Sequence, residues 1–180
     1  ESLYLEYYYG KQAAYSYIRG LRNSIQNDKP IIGPYNVNSE GSGDMYFKGA
    51  NMLHTLRQLV TDDDTWRTIL RNLHQAFFHQ TVTTNQIETF LNEQTQFYLQ
   101  PVFDQYLRTT EIPVFETRIT KNHTEYRWNN VLPNFSMPLK IYLEGKAKWI
   151  YPTTQWKKIS TISIPEIEID PNFYIDLKTQ

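Results

Sequence analysis

Over the first two thirds of the chain, apolar positions recur at helical spacing. Leu3, Tyr7, Ala14, Ile18, Leu21 and Ile25 fall three, four or seven residues apart, one stripe of an amphipathic helix. The stripe is predicted to stop near Asn27-Asp28-Lys29-Pro30, since proline disfavours helix in the residue before it. Residues 30–43 hold two Pro, three Gly and several Asn and Ser, which is loop chemistry. A second helix is expected from Gly43-Asp44, with Tyr46, Gly49, Ala50, Leu53, Leu56 and Val60 on its inner face. Asp62 to Asp64 suit the positive end of a third, whose stripe is Trp66, Ile69, Leu70, Leu73 and Phe77. Thr83-Thr84-Asn85 precede a fourth, with Asn85 and Glu88 at capping-box spacing before Phe90 and Leu91. A shorter fifth helix opens at Pro101 and carries Val102, Phe103, Tyr106 and Leu107.

The period changes after Thr110. Val114, Glu116 and Arg118, then Glu125 and Arg127, alternate with Phe115, Thr117, Ile119, Tyr126 and Trp128, the mark of strands. Residues 139–143 and 148–151 read as further strands around a Glu144-Gly145-Lys146 turn, and Phe173-Tyr174-Ile175-Asp176-Leu177 as the last. Helices followed by strands predict an α+β multidomain chain without a parallel α/β sheet. The expected boundary lies near Glu111, with a helical region over 1–110 and a small β-sandwich over 111–180.

Charge and composition narrow the function classes. A net charge of −1 and a pI near 6.5 offer no basic face for nucleic acid or an anionic membrane. No run approaches the ~18 apolar residues of a membrane-spanning helix. Without cysteine there are no disulfides or thiolate metal sites, and the redox compartment is left open. The 14 tyrosines fit either a tyrosine-rich core or a sugar- or peptide-binding surface, and burial tendencies favour the core. The chain opens at Glu1 without a start methionine, and its helical pattern is already running at residue 3. It is therefore expected to begin inside a helix of a longer protein, and nothing visible sets a compartment.

Most chemistry is missing from the sequence. There is no HExxH, no Gly-rich phosphate loop and no GxSxG. The histidines are His54, His74, His79 and His123; the pair at 74 and 79 would point about 140° apart on a helix, against metal-binding i, i+4 geometry. They read as surface or partly buried polar residues, and Asp62–Asp64 as a helix start rather than a cation site. One stretch is more specific. Gly41-Ser42-Gly43-Asp44-Met45-Tyr46-Phe47-Lys48-Gly49-Ala50-Asn51-Met52-Leu53 delivers a tyrosine from a Gly-rich loop onto the first turn of a helix. Gly49 follows on the same face, where a missing side chain would admit a neighbouring backbone. The phenol is expected to face the interior, able to donate to developing negative charge.

Tyr46-Phe47-Lys48-Gly49-Ala50-Asn51-Met52-Leu53 resembles the Tyr-x-Lys-Gly-Ala element of the aminopeptidase N family of zinc metallopeptidases, the gluzincins that include leukotriene hydrolase. Residues 1–10 are similar to the continuation of that family's glutamate-bearing helix. Residues 83–90 resemble a later helix start, and residues 103–107 with 112–115 the passage into a β-sandwich. The likeness runs to about residue 120 in matching order. It implies the C-terminal helical part of a thermolysin-like catalytic domain, with Tyr46 as the catalytic tyrosine that stabilises the tetrahedral intermediate. It also implies zinc in the parent enzyme, held by an HExxH and a later glutamate that would lie before Glu1, and a peptide substrate that loses its N-terminal amino acid. Lacking those ligands, the 180 residues alone are expected to bind no catalytic zinc and to be inactive. The alternative is a non-catalytic peptide- or glycan-binding module derived from the same family. The first helix's stripe and the cleft-facing side of the second are expected to be exposed, which predicts self-association.

Overall fold

A computed structural model of the chain describes residues 1–120, 123–159 and 167–180. Within them six α-helices come first and two small sheets follow, so the chain is α+β. The first stripe is not one helix. α1 (Ser2–Tyr9) and α2 (Lys11–Gly20) are separated at Gly10, whose φ of 85° and ψ of 166° glycine adopts without strain. A 3-10 turn over Leu21–Ser24 completes this arm.

α3 (Phe47–Val60) and α4 (Asp63–Ala76) follow. Asp62 caps α4, its carboxylate accepting from Thr65 N at 2.8 Å. α5 (Thr84–Thr95) does carry a capping box, but on Thr83 and Gln86 rather than Asn85 and Glu88. Glu88 is buried one turn further on, where Arg108 (2.8 Å) and Gln100 (2.9 Å) hold its carboxylate. α6 (Gln100–Arg108) has Pro101 in its first turn, where no N–H partner is lost.

Seven strands follow: β1 (Val114–Ile119), β2 (Thr124–Asn129), β3 (Leu139–Leu143), β4 (Lys146–Ile150), β5 (Lys157–Ile159), β6 (Ile167–Ile169) and β7 (Asp176–Thr179). One sheet has the order β5-β2-β1-β7 and the other β4-β3-β6. All pairs are antiparallel except β1 with β7, where Phe115 lies opposite Leu177. β3 and β4 meet at Glu144-Gly145, both at positive φ (50° and 73°), the two-residue turn that matches strand twist. β5 and β6, three residues each, escaped the sequence reading. The expected strand over 173–177 is displaced: pairing begins at Asp176, and Phe173 and Tyr174 are buried instead.

Alternation in β1 and β2 sends Phe115, Tyr126 and Trp128 inward and Glu116, Arg118 and Arg127 outward. Glu116 is nevertheless covered, by Arg127 (2.6 Å) and Lys178 (3.1 Å). Burial pushes its carboxyl pKa up, but these two cations outweigh that and leave it below the usual range. Trp156 lies under the guanidiniums of Arg118 and Arg127, 4.2 and 4.5 Å from its ring centre.

A single buried cluster runs from Met52 and Leu56 on α3, through Phe103 and Tyr106 on α6, to Trp128, Leu139 and Phe173. Each large side chain fully buried there contributes roughly 1.5–3 kcal/mol. Polar groups along this seam are matched across long sequence distances. The Tyr106 hydroxyl donates to the Tyr174 carbonyl, Tyr174 N donates to Thr55 Oγ1 at 3.0 Å, and the Lys48 ammonium donates to the Thr109 carbonyl at 2.9 Å. None of the described helices is long and apolar enough to cross a membrane.

Candidate functional site

The loop before α3 is built to hold Tyr46 in place. Gly41 packs so closely on the Ile31 carbonyl that a Cβ there would sit 1.7 Å from its oxygen, so only glycine fits. Next to it, Ser42 N donates to Pro30 O at 2.9 Å and the Ser42 hydroxyl donates to the Asp28 carboxylate. Asp44 is buried, and its carboxylate accepts from Gln26 N (3.0 Å) and Asn27 N (2.6 Å). The segment leaving the 3-10 turn and the segment entering α3 are thereby tied together. Tyr46, at the N-cap position, takes α-helical φ and ψ (−76°, −59°) and inherits that fixed direction.

The direction is not the expected one. Tyr46 is 70% exposed and does not face the interior. It stands at the rim of a groove of about 440 Å³ between α3, α4 and the α1–α2 arm. No hydrogen bond among the described residues engages its hydroxyl, which leaves the donor available. Gly49 also departs from expectation, since nothing lies within 4 Å of where its Cβ would be and no neighbouring backbone approaches. The groove side of α3 comprises Tyr46, Ala50, Leu53, His54 and Arg57, the i, i+4, i+7, i+8, i+11 spacing of one helix face. Leu3, Ile18 and Leu21 form the opposite wall, with Trp66 and Leu70 of α4 at one side. Glu1 and Tyr17, whose hydroxyl donates to the Glu1 carboxylate, also line it.

The far end is charged and fully paired. The Arg57 side chain, 4% exposed, makes two bonds to Glu6 (2.6 and 3.0 Å) and two to Asp63 (2.9 and 2.7 Å). Arg67 adds a bond to Glu6 at 2.8 Å, and Lys11 one to Asp63 at 2.7 Å. The Arg57 hydrogen bonds hold the Glu6 carboxyl below its ordinary pKa, against the upward push of burial. For Asp63 burial is the larger influence and raises the pKa, yet Lys11 and Arg57 together bring it below the ordinary value.

His54 is a site residue that the sequence reading passed over. It is buried rather than a surface or partly buried group, with its ring edge-on to Tyr15 at 4.7 Å between centres. Its Nε2 lies 3.2 Å from Asn172 Oδ1. Asn172 in turn donates from Nδ2 to Asp170 Oδ1 at 2.7 Å. Burial above all lowers the His54 pKa to about 4, so the ring is neutral at physiological pH. The helical spacing from Tyr46 was the available signal for His54 and Arg57. Nothing in the sequence announced Asn172 or Asp170, which reach α3 only through the fold.

The other histidines do not converge on the groove: His74 and His79 pack beside Phe78, and His123 sits 3.2 Å from Glu125 in the sheet region. Among the described residues no three His, Asp or Glu side chains form a group that could hold a metal ion. The arrangement offers an available phenol donor at the mouth of an apolar groove with a neutral imidazole in its floor. No known family model matches the chain, and no curated protein matches it.

Proposed function

We propose that the chain is the C-terminal helical part of a thermolysin-like zinc aminopeptidase domain followed by a β-sandwich, and that Tyr46 stabilises the tetrahedral intermediate of peptide hydrolysis. One observation carries this reading. Tyr46 is 70% exposed at the rim of a groove of about 440 Å³, its hydroxyl is unengaged among the described residues, and its backbone is anchored by the Asp44 and Ser42 bonds. A donor whose backbone is already placed at the groove can reach a developing oxyanion there. Among the described residues no group could hold a metal ion, and this reading assigns the zinc ligands, an HExxH and a later glutamate, to residues outside these 180. Zinc supplies carbonyl polarisation and an activated water when bound. This chain's own contribution is the Tyr46 hydrogen bond and the α3 wall along which the peptide lies.

The test is Tyr46→Phe in the protein together with its preceding zinc-binding segment. Loss of one oxyanion donor should lower kcat by roughly 10²–10³, or about 2.7–4 kcal/mol, with KM far less affected. Turnover within about threefold of wild type ends the assignment, as does a preceding segment without HExxH. The 180-residue chain alone should show no chelator-sensitive aminopeptidase activity.

A further inference from the structure

The His54 ring has its protonation pattern dictated from behind. Asp170 is a carboxylate that only accepts, and it takes hydrogen bonds from both the backbone N (3.0 Å) and the side-chain Nδ2 (2.7 Å) of Asn172. The Asn172 amide is therefore oriented with Oδ1 toward His54, and an amide oxygen can only accept. The His54 proton must lie on Nε2, which leaves Nδ1 as a bare lone pair. Nδ1 has no hydrogen-bond partner among the described residues, and His54 lines the groove. The geometry points to His54 as a fixed acceptor for one backbone N–H of an extended peptide lying along α3. This rests on the peptide-binding reading above and adds to it a second polar anchor.

The spacing fits such an occupant. His54 follows Tyr46 by eight residues, about 12 Å along a helix axis. An extended chain covers that in three to four residues at ~3.3 Å each. Ala50 and Leu53 between the two anchors give only apolar contact, so the peptide segment joining them has its polar backbone read at the ends.

The experiment titrates the 180-residue chain with hexa-alanine and with five variants, each N-methylated at a different peptide bond. Methylation at a single bond, three to four residues from the carbonyl at Tyr46, should weaken binding about tenfold, the scale of one well-formed hydrogen bond. His54→Phe, which keeps the ring against Tyr15, should weaken hexa-alanine by the same factor and make binding indifferent to that methylation. Because the variant could disturb folding, ¹⁵N spectra of the wild-type imidazole provide an independent reading: saturating hexa-alanine should move the Nδ1 resonance and leave Nε2 protonated. Binding of hexa-alanine with unchanged methylation sensitivity in His54→Phe, or an unmoved Nδ1 resonance, overturns the His54 assignment alone. Failure of every peptide to bind overturns it together with the peptide-groove reading.

Discussion

The two sides of α3 solve opposite problems. On the core side, Lys48, Asn51, Met52, Thr55, Leu56 and Leu59 are all buried, and each polar group among them has a partner: Lys48 at Thr109 O, Asn51 at Ile18 O (3.1 Å), Thr55 at its own helix and at Tyr174 N. On the groove side His54 and Arg57 are buried, but Tyr46 is 70% and Leu53 38% exposed, and the phenol has no hydrogen-bond partner among the described residues. An unpaired polar group is costly where water is excluded and harmless where it is not. The groove side therefore keeps free valences that the core side cannot tolerate, and only free valences can be used on a ligand.

That contrast predicts that Tyr46→Phe separates activity from stability most widely. The kcat loss of roughly 10²–10³ should come with an unfolding free energy unchanged to within about 0.5 kcal/mol, as for an exposed substitution. A clear fall in stability would move Tyr46 to the structural side. Arg57→Ala should do the reverse. It strands the Glu6 and Asp63 carboxylates beside a buried gap, and a broken buried pair costs about 3–5 kcal/mol. Since Glu6 keeps Arg67 and Asp63 keeps Lys11, about 3 kcal/mol is expected in urea unfolding; a loss under 1 kcal/mol would show the network to be decorative.

Acid provides a third, smaller test. His54 has a pKa of about 4 when folded against the ordinary 6.5 of a free imidazole, so the unfolded chain binds the extra proton between these limits. Its contribution to stability is complete above pH 6.5 and is lost as pH falls toward 4, by about 1.4 kcal/mol per unit. Between pH 6.5 and 5 the loss integrates to about 1.6 kcal/mol, because the slope is only half developed at pH 6.5. Tyr15, Arg57, Arg22, Asn172 and Asp170 surround the ring, and Arg57 and Arg22 both oppose its protonation. Urea titrations across this range should show the slope in wild type and not in His54→Phe; equal slopes would place the sensitivity elsewhere. The mildest effect concerns association. Tyr4, Tyr7, Tyr8 and Tyr9 on α1 are each at least 60% exposed and stack on one another, with centroids 4.6 and 4.9 Å apart at 4–8 and 7–8. Sedimentation coefficients rising with concentration, and a flat profile after Tyr7→Ser and Tyr8→Ser, are expected; a monomer at all concentrations rejects self-association.

Elements with strong local signals were legible in the sequence. α4 through α6 follow their apolar stripes, and Asp62 and Pro101 mark starts as their chemistry requires. α3 forms where expected but buries another face: of Tyr46, Gly49, Ala50, Leu53, Leu56 and Val60 only Leu56 is buried. What escaped was decided elsewhere in the fold. Gly10 breaks the first stripe through a single backbone conformation, and β5 and β6 are too short for alternation to register. Phe173 and Tyr174 look like strand residues but are drawn into the seam with α3 and α6. Tyr46 could be placed on the first turn of its helix, yet which way it faced depended on how residues 26–30 clamp Ser42 and Asp44. His54 and Arg57 in the groove were visible by helical spacing, whereas Asn172 and Asp170, which hold His54 from outside the groove, were not.

The pairing of Thr55 with Tyr174 and of His54 with Asn172 joins residues 119 and 118 positions apart. Such contacts give a chain high contact order and slow, late closure. During synthesis at about 5–20 residues per second, α3 would emerge roughly 6–24 s before its partners exist. For that interval Thr55 and His54 are solvated and the helical half has no complete core. Completion of the helical region's contacts thus waits on Asn172 and Tyr174, and translation of the intervening residues, rather than helix formation, sets its clock.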